Sequence, residues 1–76
     1  MKLETRKGST RLVVEVSGEW ANIDLWGANG LIRSSSTMTK DLRDKLNDLL
    51  KAMTYFRGAK SHAAIVTRDM IGKVAA

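Results

Sequence analysis

The apolar residues of this chain change period once, near Ser34-Ser35-Ser36, from two to about 3.6. Alternate residues of a strand point to opposite faces of a sheet, whereas residues three and four apart share one face of a helix. A chain that alternates first and becomes helical afterwards is expected to lay helix on one face of an antiparallel sheet, an α+β arrangement. Within the alternating half, turn signals at Gly8-Ser9, Ser17-Gly18 and Gly27-Ala28-Asn29-Gly30 divide the sequence into strands at about 2–7, 10–16, 19–26 and 31–35.

A meander of these strands has a register that can be worked out on paper, because residues opposite one another share a face. A two-residue loop at Gly8-Ser9 sets Leu3 opposite Val14, Thr5 opposite Leu12 and Arg6 opposite Arg11. A loop at Ser17-Gly18 sets Val14 opposite Ala21, Leu12 opposite Ile23, Glu15 opposite Trp20 and Arg11 opposite Asp24. A connection through 27–30 sets Leu25 opposite Ile32, Trp26 opposite Leu31 and Asp24 opposite Arg33. A tighter Asn29-Gly30 loop is the usual Asn-Gly hairpin signal, but it would set Leu25 against Ser34 and is rejected on packing. The expected inner face is Leu3, Leu12, Val14, Ala21, Ile23, Leu25 and Ile32. No proline interrupts the ladder.

The helical half opens with Thr39, a good N-cap residue, and Asp41, whose charge suits a helix start. Leu42, Leu46, Leu49, Leu50, Met53 and Phe56 form one apolar stripe, predicting a helix over about 40–57 that Gly58 terminates. Residues 61–76 admit two readings. Ser61 can cap a helix over about 62–74, with Ala63, Val66, Met70 and Val74 on one face, or His62–Val66 can form a fifth strand; the shared face favours the helix.

With 76 residues the chain has material for one core, so a single domain over 1–76 is expected. Chains this short often need a staple. No cysteine is present, which excludes disulfides and cysteine-ligated zinc and leaves dimerisation, so a homodimer is a possible state. The sequence shows neither a signal-peptide pattern nor an apolar window long enough to span a membrane. A cytoplasmic protein with no membrane partner is the expectation.

The net charge of +5 is concentrated at the ends: residues 1–11 and 57–76 each carry +3, and residues 12–56 carry −1. Such a balance favours a polyanionic or acidic partner. The register places Trp20 and Trp26 out of phase with the core, on the outer face beside Asn22 and Asp24, with Arg6, Arg11, Val13, Glu15, Leu31 and Arg33 around them. Aromatic rings flanked by arginines on an open sheet can stack bases and meet phosphates. The same side chains also suit a protein interface. Glu15 and Asp24 would repel a polyanion unless Arg11 and Arg33 engage them.

Other motifs read as structure. Ser34-Ser35-Ser36-Thr37 lacks the glycines and lysine of a P-loop and reads as a strand-to-helix linker. His62, the only histidine, has no identifiable catalytic partner. Asp41, Asp44 and Asp48 alternate with Lys40, Arg43, Lys45 and Lys51, which describes a solvated helix face with local ion pairs. Met38, Met53 and Met70 read as packing residues. With no catalytic set and no cofactor signature, a binding protein rather than an enzyme is expected.

The order of four antiparallel strands followed by a helix, over residues 2–57, resembles the topology of the Whirly group of single-strand-binding proteins. That resemblance consists of element order and an open sheet face, and it implies no particular residues. The sequence thus points to nucleic acid, single-stranded more than duplex, held through Trp20, Trp26, Arg6, Arg11, Arg33 and Asn22. The alternatives are a protein-binding module or small regulator that uses the same face or the sheet edge on an acidic protein surface, or a homodimer that buries the face.

Overall fold

Four antiparallel strands in sequence order make the sheet: β1 (Lys2–Lys7), β2 (Thr10–Ser17), β3 (Trp20–Gly27) and β4 (Gly30–Met38). A 3-10 turn at Thr39–Asp41 leads into α1 (Leu42–Arg57), and α2 (His62–Ala75) follows. The computed structural model describes residues 1–75. The α+β expectation therefore holds, and the C-terminal segment is helix, not a fifth strand. Ser61 caps it as anticipated, its Oγ accepting the Ala64 N–H at 3.2 Å.

Both helices cover the same sheet face. α2 packs on β1 and β2, while α1 packs on α2 and on β4. The buried cluster contains Leu12, Val14, Ala21, Ile23 and Leu25 from the sheet, Leu42, Leu46, Leu49 and Met53 from α1, and Ala63, Val66 and Met70 from α2. Two hydroxyls share this interior without being orphaned: Thr5 Oγ1 donates to the Val66 carbonyl at 2.8 Å and Thr67 Oγ1 to the Ala63 carbonyl at 2.8 Å.

The first hairpin has the expected register, with Leu3 opposite Val14 and Arg6 opposite Arg11. The second is displaced by two residues: Val14 faces Ile23, Leu12 faces Leu25 and Arg11 faces Trp26. Its turn residues are Gly18-Glu19, not Ser17-Gly18. Gly8 and Gly18 both have φ near +60°, and among the described residues only glycines have positive φ. Each glycine thus takes the first position of a two-residue turn, as a type II′ hairpin requires. A displacement of two preserves facing, so the inner residues stay inside.

The third hairpin departs by one residue, with a different outcome. Trp26 faces Leu31 as expected, but the register then shifts and Leu25 faces Arg33, Asp24 faces Ser34 and Ile23 faces Ser35. Ile32 has no partner and is the bulged residue. An odd shift reverses the facing of every residue beyond it. Arg33 accordingly lies on the helix side, not the outer face, and Ile32 is 39% exposed instead of packed. Gly27 makes room for the bulge, since a Cβ there would stand 2.9 Å from Ile32 Cδ1.

Three further expectations are corrected. The serine run is not a linker: β4 continues through it to Met38. Thr39 caps no helix, because its Oγ1 donates to the Gly18 carbonyl at 2.8 Å and its N–H to the Glu19 carbonyl at 2.6 Å, tying the end of β4 to the second turn. Phe56 does not continue the core stripe and is 75% exposed, outside the buried cluster that Leu42, Leu46, Leu49 and Met53 join.

The packing separates residues that the helical period alone groups together. Leu46→Ala should lower unfolding stability by about 2–5 kcal/mol, whereas Phe56→Ala should change it by less than about 0.5 kcal/mol. Chemical denaturation of both variants measures the contrast.

Candidate functional site

The sheet face turned away from the helices consists of four cross-strand rows. Nearest the second turn, Ser17, Trp20 and Met38 stand side by side. Next come Lys2, Glu15, Asn22 and Ser36, then Glu4, Val13, Asp24 and Ser34. At the end bearing the first and third turns, the row is Arg6, Arg11, Trp26 and Leu31.

The middle rows are already occupied by their own hydrogen bonds. Ser34 Oγ donates to Asp24 Oδ1 at 2.6 Å, and Ser36 Oγ donates to Asn22 Oδ1 at 2.7 Å. The bulge makes this possible by turning Ser34 and Ser36 to the outer face. Asp24 is therefore engaged by a serine, not by Arg33. Val13, although on the outer face, is buried between Glu4 and Asp24 in its row.

The terminal row concentrates charge and aromatic surface. Arg6 and Arg11 stand directly opposite, a like-charge pairing that is unfavourable on its own. Glu4 relieves it. Its Oε1 lies 3.0 Å from Arg11 Nη1 and 4.0 Å from Arg6 Nη2. The Arg11 guanidinium also sits 5.1 Å from the centre of the Trp26 ring, a cation–π contact of about 0.5–1 kcal/mol at a partly open site. Arg11 is thus held in place over the ring.

The sequence-predicted residues fall into two groups. Arg6, Arg11 and Trp26 come together at one end of the face. Trp20 lies six residues further along β3, which at the rise of a strand is about 20 Å away. It is 59% exposed. Asn22 stands between the tryptophans and is exposed. Arg33 is apart from all of them, on the β4 edge over a small cleft with Ser35, Lys45 and Asp48.

Two residues near the face escaped the sequence reading. Met38 pairs with Trp20 because β4 is longer than its alternation suggested. Arg57, the last residue of α1, lines a cleft with Thr10, Leu31 and the third turn, adding a cation near the Trp26 end. The basic C-terminal charge cluster contained that signal, but only the fold reveals which end of the sheet it meets. The ion pairs among the described residues both involve Glu4, so the aspartates of α1 make none with their neighbouring lysines and arginines.

Comparison of the chain with protein-family models, curated proteins and solved structures finds no match. The resemblance to the Whirly group accordingly rests on element order and the open sheet face alone.

The two tryptophans should be spectroscopically distinct. With Trp26→Phe, the remaining Trp20 should emit to the red and be quenched readily by acrylamide. With Trp20→Phe, the remaining Trp26, shielded by Arg11, should be quenched less. The reverse order would contradict the placement of the two rings.

Proposed function

We propose that the protein is a non-catalytic binder of single-stranded nucleic acid that uses the outer face of the sheet. The observation that carries the reading is the terminal row. Two arginines face each other across β1 and β2, and one is stacked on an indole. A cross-strand pair of like charges costs stability, and an arriving phosphate converts that cost into attraction. Trp26 and the more open Trp20 offer rings for bases, each stacked base contributing about 1–3 kcal/mol. Asn22, between them, supplies an amide for base edges or sugar. Arg33 takes no part on this face.

Glu4 sets the strength of the site. Its carboxylate neutralises part of the arginine charge and must share Arg6 and Arg11 with the incoming phosphate. Glu15 on the same face adds a second negative charge. Binding is therefore moderate and sensitive to salt, without being driven by a uniformly basic surface.

A second reading is favoured by a different observation. Tyr55 and Phe56 are 82% and 75% exposed, with their rings edge to face at 4.8 Å, and Leu31 is 51% exposed. Exposed apolar groups of this size commonly mark protein interfaces. On this reading the chain is a protein-binding module for an acidic partner.

Titration with a short single-stranded oligonucleotide separates the two readings. Tryptophan emission should be quenched, with the logarithm of the affinity falling linearly in the logarithm of salt concentration. Arg6→Ala and Arg11→Ala should each weaken binding and reduce the salt slope by about 0.7. Glu4→Gln should tighten binding. A flat titration at low salt would rule out nucleic acid on this face, and loss of binding in a Tyr55→Ala/Phe56→Ala variant but not in Trp20→Ala would move the site to the end of α1.

A further inference from the structure

The two edges of the sheet are built differently. β1 carries Lys2, Glu4, Arg6 and Lys7 among its six residues, the charge pattern that discourages strand addition. It is also fastened to α2: Thr5 Oγ1 donates to Val66, and Lys73 Nζ donates to the Glu4 carbonyl at 3.2 Å. β4 is the longest strand, has Arg33 as its single charged residue, and contains neither lysine nor proline. It pairs with β3 alone, leaving its outer edge open. Beyond the bulge, Arg33–Met38 is a regular run of six residues. Such an edge presents unpaired N–H and C=O groups to any strand that can lie beside it.

We propose that the occupant of this edge is β4 of a second copy of the chain, paired antiparallel about a twofold axis. The strand suits itself. With the axis at Ser35, Ser34 faces the partner's Ser36 and Arg33 faces the partner's Thr37, so no like charges meet and small polar side chains line the centre. On the helix side, Lys45 and Asp48 stand by Ser35 and Arg33. With Arg33 they give each copy two cations and one carboxylate at this cleft, so across the axis Asp48 offers a counter-charge to the partner's basic groups. An isologous contact of this kind is the commonest form of homodimer, and it would supply the staple that a cysteine-free chain of 76 residues lacks.

The symmetry has a functional consequence that rests on the proposed nucleic-acid reading. Antiparallel pairing in the plane of a sheet requires an axis perpendicular to that plane, so both outer faces look the same way. Two four-stranded sheets become one of eight strands, with both pairs of tryptophans on a single surface. Each dimer then holds one continuous strand longer than a monomer can.

Light scattering across a concentration series tests the dimer without any nucleic acid, so its outcome is independent of the binding proposal. The wild type should have the mass of two chains. Ser34→Lys/Ser36→Lys puts like charges across the axis and should give the mass of one chain with an unchanged far-ultraviolet circular dichroism spectrum. Trp20→Ala should remain dimeric. A monomeric wild type at its highest soluble concentration would overturn the proposal. So would a lysine variant that stays dimeric, or a Trp20→Ala variant that becomes monomeric, since either places the contact elsewhere.

Discussion

Leu12, Ile23 and Leu25 on the sheet meet Leu46 of α1 and Val66 and Met70 of α2 in a contact closed to water, and the remaining features depend on it. Burial of apolar surface is the main favourable term in folding, and a chain of this length has only one place to carry it out. Because both helices are committed to one side, the other side is left without an intramolecular cover. The outer face is exposed as a consequence of how the core is filled.

That division follows from the period of two, and it explains what could be read from the residues beforehand. The inner set on β1, β2 and β3 was legible even though the second hairpin was displaced, because a shift of two keeps each side chain on its face. The turn itself held a clue in Gly18, which by analogy with Gly8 belongs first in the loop. The bulge at Ile32 was not legible. It depends on a glycine across the strand making room for an isoleucine side chain, a long-range contact that alternation does not encode. Arg33 and Ile32 were misplaced for that reason. Phe56 differs for another reason: a stripe gives the direction of a side chain, but not whether another element packs against it there.

The outer face is graded in character along β3. Asn22 Oδ1 and Asp24 Oδ1 accept from serines that the bulge turned outward, whereas the aromatic rings stand at the two ends. One end has Trp20 beside Met38. The other has Arg11 fixed between Glu4 and Trp26. A guanidinium already ordered on a ring loses less freedom when it meets an anion than a mobile one would. Glu4 organises that arrangement and, on the proposed reading, competes with the anion for it.

On the proposed reading this face, and not the helical side, meets a single-stranded nucleic acid. The two indole N–H groups and the backbone amides of an isotope-labelled sample report on both sides at once during a nuclear magnetic resonance titration with an oligonucleotide. Both indole signals should move together with the amides of Arg6 and Arg11, while the amides of α1 and α2 stay still. Unmoved indole signals, or changes confined to the helices, would contradict it.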